Sequence, residues 1–156
     1  MIDLTRLDEY RENNRLEAKL ALGGLPHSIW ETYSAFANTL GGLILLGVAE
    51  YADKSLHTVD LPEPERLIGE FYCILNDTER VSANILEEEA QIHTVDGNHV
   101  IVIAVPPAAD AKKPVYIGRD VFEGTYRRSG DGDYRCTREE VTAMLKRAAR
   151  ARQKNE

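Results

Sequence analysis

The sequence is poor in cysteine, in large aromatic residues and in long apolar runs: its 156 residues include two cysteines, one tryptophan, three phenylalanines and six prolines. Cys73 and Cys136 offer neither a disulfide framework nor metal-ligand spacing, which suits a reducing cytoplasm. The longest apolar stretches, Leu43 to Ala49 and Val100 to Pro107, fall far short of the roughly 18 residues a membrane span requires. No basic segment followed by an apolar one opens the chain, so nothing argues for export and a cytoplasmic location is expected. The four histidines, His27, His57, His93 and His99, show no ligand spacing. Gly41-Gly42 lies between a predicted helix and a following strand, the reverse of the order a dinucleotide fingerprint needs. Gly130-Asp131-Gly132-Asp133 lacks the terminal glutamate of a calcium loop and reads as a plain polar turn.

What is present suffices for one folded domain. A hydrophobic fraction of 43% and a charged fraction of 29% exclude disorder of the whole chain. A chain this long buries on the order of 70% of its unfolded surface, so a core forms without staples. The formal net charge of −7 argues, as an average, against a polyanionic partner. The average conceals a segregation. Residues 1–111 carry 7 Lys/Arg and 19 Asp/Glu, a net of −12, whereas residues 112–156 carry 12 and 7, a net of +5. A cation-rich segment therefore follows an acidic body.

The hydrophobic pattern predicts a short helix in Met1 to Asn14, then a half-buried strand from Arg15 to Leu22. Leu25, Ile29, Tyr33 and Phe36 recur at helical spacing after Pro26, up to the glycine pair. Leu43 to Val48 reads as a strand buried on both faces. Asp60-Leu-Pro-Glu63 has capping-box spacing ahead of an amphipathic helix through Leu75. Asp96-Gly97 between two apolar runs predicts a hairpin, Ala90–Val95 with His99–Val105, stopped by Pro106-Pro107. A second hairpin is expected from Val115–Ile117 and Val121–Arg127 around Gly118-Arg119-Asp120. Thr137-Arg-Glu-Glu140 caps a last helix. The order predicts an α+β domain with a mixed, largely antiparallel sheet flanked by helices. Residues 1–148 are expected to form a single domain, with 149–156 a basic tail that would lead to further domains in a longer protein.

Glu12, Glu17 and Lys19 cluster around the first strand, and period two puts Glu17 and Lys19 on one face. On their own they read as a surface ion pair worth roughly 0–1 kcal/mol. Glu12-Asn-Asn-Arg-Leu-Glu17-Ala-Lys19, Ser34-Ala-Phe-Ala-Asn38-Thr39-Leu-Gly41-Gly42 and Leu45-Leu-Gly47-Val48-Ala-Glu50 resemble the signature of the Schlafen-type AlbA domain family. So do Val102-Ile-Ala-Val105-Pro106, Pro114-Val-Tyr116 and Tyr126-Arg-Arg128-Ser-Gly130 further along. The resemblance runs in family order from about residue 10 to residue 145.

The resemblance implies an AlbA-like fold and nucleic-acid binding, to DNA or RNA, of the kind found at the N-terminus of bacterial regulator-like and helicase-like proteins. In the animal Schlafen ribonucleases an acidic triad cleaves structured RNA with a divalent cation. Glu12 and Glu17 stand where two of those carboxylates stand, with the same interval of five, and Glu50 stands near the third, an aspartate there. This chain also has Ala18 where those proteins have an aromatic residue, and one copy of the domain where they have two lobes. The implied alternative is a metal-dependent endoribonuclease in which Glu12, Glu17 and Glu50 hold Mg²⁺ or Mn²⁺. A third reading is a dimerisation or protein-interaction module; a homodimer would restore the two lobes. Lys19, Lys112, Lys113, Arg127, Arg128 and Arg135 are the expected phosphate contacts. Arg128 has a competing role, as a brace held by Glu12 or Glu17.

Overall fold

The computed structural model describes residues 2–154. Met1 of the expected first helix, and Asn155 and Glu156 of the expected tail, lie outside the described residues. The regular elements in chain order are β1 (Leu16–Lys19), α1 (Ile29–Asn38), β2 (Gly42–Leu46), β3 (Val48–Glu50), β4 (Leu56–Thr58) and α2 (Pro64–Leu75). There follow β5 (Gln91–Val95), β6 (Asn98–Val105), α3 (Val121–Gly124), β7 (Tyr126–Ser129), β8 (Gly132–Arg135) and α4 (Arg138–Lys154). Among the described residues no helix is long and apolar enough to cross a membrane.

A four-stranded sheet in the order β1-β2-β6-β5 organises the chain. β1 and β2 are parallel, joined through α1, while β2–β6 and β5–β6 are antiparallel. Both faces are covered. Ile44, Leu46, Ile101 and Ile103 pack with α1 and α2 around Trp30, Tyr33, Phe36 and Phe71. Leu16, Leu45 and Val100 pack with Leu7, Val48 and Leu56 on the other face. The mixed, mostly antiparallel α+β arrangement is the one the pattern predicts. The β5–β6 turn is the expected one too, with Asp96 at φ 51° and Gly97 at φ 80°. The α4 capping box closes reciprocally: Glu140 N donates to Thr137 Oγ1 at 3.1 Å and Thr137 N to Glu140 Oε1 at 2.8 Å.

Four local expectations fail for identifiable reasons. The first helix is only a 3-10 segment, Leu4–Glu9. The strand from Leu43 breaks at Gly47 (φ 83°), where a side chain would strike Leu61, and β3 leaves in a new direction. Asp60 does not cap α2; its Oδ1 accepts from His99 N at 2.6 Å, and Pro64 opens the helix instead. The second hairpin is reduced to one bridge, Tyr116 with Thr125. Asp120 Oδ1 accepts from Phe122 N at 2.9 Å and turns residues 121–124 into α3.

The end of α1 is the joint between the sheet and the basic segment. Ser34 and Asn38, one turn apart, face residues 115 and 126. Asn38 Oδ1 accepts from Val115 N at 2.8 Å, and its Nδ2 donates to Val115 O at 2.8 Å and to Tyr126 O at 3.0 Å. Ser34 Oγ donates to Val115 O at 2.7 Å and accepts from Tyr126 N at 3.0 Å. These two side chains replace the ladder a neighbouring strand would supply. The glycine pair then lets β2 leave without collision: a Cβ on Gly42 would sit 2.7 Å from Arg15 O and 2.8 Å from the Phe36 ring.

Candidate functional site

Leu16 and Ala18 of β1 turn to the apolar cluster under β3 and β4, so Glu17 and Lys19 face the other way, toward α1. Their pair forms at 3.3 Å, but with side chains only 13% and 11% exposed it is no surface pair. Lys19 Nζ also donates to Ser28 Oγ at 3.1 Å, just before α1 begins. Arg128, on β7, completes the arrangement. Its side chain has no exposure. Nη2 donates to Glu17 Oε2 at 3.0 Å and Nη1 to Asp133 Oδ1 at 2.8 Å. The remaining donors reach the backbone carbonyls of Asn13 and Leu16. Asp133 in turn accepts from Thr32 Oγ1 at 2.6 Å. Burial alone would weaken the hold of the guanidinium on its proton; the bonds to Asp133 and Glu17 more than restore it.

Glu12 and Glu50 join this network from its outer side. Glu12 Oε2 accepts from Ala18 N at 2.8 Å. Glu17 and Glu50 are the carboxyl neighbours of Glu12 that act on its proton. Burial first, then the neighbouring Glu17 and Glu50, push Glu12 up to about 8. The unfolded chain releases that proton near 4.5, so it holds fewer protons than the folded state between about pH 5 and 8. Stability therefore falls as pH rises through this window. The expected loss is on the order of 1–2 kcal/mol, because solvent reaches the half-buried cluster and screens it. Urea midpoints at pH 6 and pH 9 measure it. Glu12→Gln, which keeps the acceptor for Ala18 and carries no charge, is expected to abolish the difference.

The donor set has the hard oxygen chemistry of a Mg²⁺ or Mn²⁺ site. Its arrangement does not fit one. Both oxygens of Glu17 are engaged by Lys19 and Arg128, and Glu50 Oε1 pairs with Lys54 at 3.6 Å. Among the described residues no group of three or more His, Cys, Asp or Glu side chains is placed to hold a metal ion.

The expected phosphate contacts separate into groups. Lys19 and Arg128 belong to the carboxylate network. Lys113 and Arg127 line a cleft of about 240 Å³ beside the C-terminal end of α1, together with Arg147 and Met144 of α4. Two carboxylates share the cleft: Asp110 lies 3.8 Å from Lys113, and Glu140 lies 3.2 Å from Arg127 Nε. That second contact is out of line for a hydrogen bond, and among the described residues Arg127 Nε is the one buried side-chain nitrogen or oxygen without a hydrogen bond. Lys112 is exposed on the 3-10 turn Asp110–Lys112. Arg135, on β8, pairs with Glu123 at 3.2 Å. Reasoning from sequence passes over Asp133, Thr32 and Ser28, whose roles depend on contacts with distant parts of the chain. Arg147 lies on α4 among other cations, and its spacing does not single it out.

The family described as Schlafen, AlbA_2 matches residues 12–137. The solution structure of the N-terminal domain of a putative ATP-dependent DNA helicase RecG-related protein from Nitrosomonas europaea is similar, with 32% identity and a TM-score of 0.63. That match covers 88% of this chain and 95% of the other. The DIP2311 protein from Corynebacterium diphtheriae shares the fold, with 17% identity and a TM-score of 0.51 over 85% of this chain and 23% of its own. No curated protein matches the chain.

Proposed function

Because the chain belongs to the Schlafen, AlbA_2 family, we propose that it is a nucleic-acid-binding domain whose phosphate contacts are Lys113, Arg127 and Arg147. The observation that carries this reading is the cleft they line. Three cations converge there on two carboxylates, and the buried Arg127 Nε has no hydrogen bond. An incoming phosphate supplies acceptors to that guanidinium and offsets the local excess of positive charge. The RecG-related description of the Nitrosomonas europaea protein supports a nucleic-acid context. Arg128 is absent from this list because its side chain is wholly buried.

Fluorescence anisotropy with labelled single- and double-stranded DNA and RNA, at about 50 and 200 mM salt, tests the reading. Arg127→Ala is expected to weaken binding about 5-fold and to lower the salt slope by about 1, with little change in melting temperature. No retention of any probe at the lower salt sinks it.

The family resemblance of Glu12, Glu17 and Glu50 also raises a second reading, a metal-dependent endoribonuclease, which the engaged oxygens of Glu17 and Glu50 disfavour. That reading requires structured RNA to be cut with Mn²⁺, and the cutting to vanish in Glu17→Gln. With Glu17 already neutralised by Lys19 and Arg128, the expected result is no cleavage by the parent protein.

A further inference from the structure

A second cavity, of about 600 Å³, opens at the N-terminal end of α1 and combines an apolar lining with charged side chains. Its floor is apolar: Trp30, Ile74 and Ile117. Trp30 is 5% exposed and pinned, with its ring stacked on Phe71 at 5.1 Å and 9°. Arg127 Nε is the sole sealed polar side-chain atom lacking a hydrogen bond among the described residues. The Trp30 ring lines this cavity, and its indole N–H donates to no protein acceptor among the described residues. The rim is charged. Arg80 is exposed and forms no ion pair among the described residues. Glu79 is paired with Arg119 and Glu123 with Arg135, which leaves each carboxylate an oxygen to spare, and Asp120 also lines the cavity.

We propose that this cavity takes a nucleotide whose base carries an exocyclic amino group, either as an unstacked residue of a single strand or free. The size is that of a small-ligand site. A flat heteroaromatic ring satisfies an apolar floor and a polar rim together, which a lipid chain does not. The carboxylates only accept, so they receive both hydrogens of an amino group, whereas uracil and thymine offer them a single N3–H set between two carbonyl oxygens of like polarity. The indole N–H donates to a ring nitrogen or carbonyl, and Arg80 is the free cation for the phosphate. The Glu123–Arg135 pair makes the rim continuous with β8. The strand form of the proposal rests on the nucleic-acid reading above; the free form does not.

Trp30 is the only tryptophan, so its emission reports occupancy directly. In the full chain, CMP, AMP and GMP are expected to quench it saturably, with UMP at least about 5-fold weaker. Arg80→Ala should weaken CMP about 5-fold and leave cytidine unchanged. Emission that stays flat with all four nucleotides up to about 10 mM overturns the proposal, as does equal quenching by UMP and CMP. A cytidine-rich single strand, followed by anisotropy and Trp30 emission together, separates the sources. Binding without an emission change overturns the strand form and leaves the nucleic-acid reading standing. Quenching by CMP with no strand binding supports the cavity as a free-nucleotide site and counts against that reading.

Discussion

Arg128→Ala is expected to cost about 3–5 kcal/mol of folding stability, a large share of the roughly 5–15 kcal/mol that holds an ordinary domain together. The reason is what remains rather than what is removed. Glu17 and Asp133, 13% and 12% exposed, lose the cation that neutralises both, and the carbonyls of Asn13 and Leu16 lose their donors. Lysine does not rescue the site, because one ammonium cannot span two carboxylates and two carbonyls as the planar guanidinium does. The Phe36 ring, 4.9 Å below the guanidinium, loses a cation–π contact as well. Urea denaturation of Arg128→Ala and Arg128→Lys measures the effect. A melting temperature within a degree or two of the parent would show that the arginine is no brace. Weakened nucleic-acid binding in either variant is expected only as far as the protein is unfolded.

The second large effect is expected at Asn38. Alanine there strips Val115 N–H of its acceptor and the carbonyls of Val115 and Tyr126 of a donor, all in a buried joint. The cost is about 2–4 kcal/mol, since unpaired buried groups lose water without gaining a partner. Asn38→Asp discriminates this account from simple loss of packing. It is nearly the same size, but turns an oxygen toward two carbonyls and introduces a buried charge. Aspartate should be worse than alanine by thermal denaturation at pH 7. The reverse order would show that the polar contacts are dispensable.

How legible these features are in the sequence depends on whether their cause is local. The Asp96-Gly97 turn and the Thr137–Glu140 capping box need only neighbours a few residues away, and both form as the pattern predicts. The Asp60–Glu63 spacing is equally good, yet Asp60 is diverted to His99 across the fold, a competitor that no window of sequence contains. Asp120 shows the opposite failure. A local side-chain cap overrides the apolar alternation of residues 121–127 and winds them into α3. For the candidate site, period two places Glu17 and Lys19 together, but their burial comes from α1 and β7, which pattern does not measure. Asp133 reads as part of a polar turn until Thr32, 101 residues away, is seen donating to it. That Glu12 has Glu17 and Glu50 as neighbours is implied by family resemblance alone; composition and spacing do not imply it.

The Arg128–Glu17 bond joins residues 111 apart in the chain. That separation has a consequence for folding rate. Sheet pairing of β1 with β2 and of β5 with β6 closes modest loops, whereas docking β7 closes one of the longest loops the chain contains. Until that happens Glu17 lacks its guanidinium partner. The acidic body is then at its most self-repelling, and late docking of the cationic segment relieves it. Refolding of the parent is therefore expected to slow when salt screens this long-range attraction between the two halves of the chain.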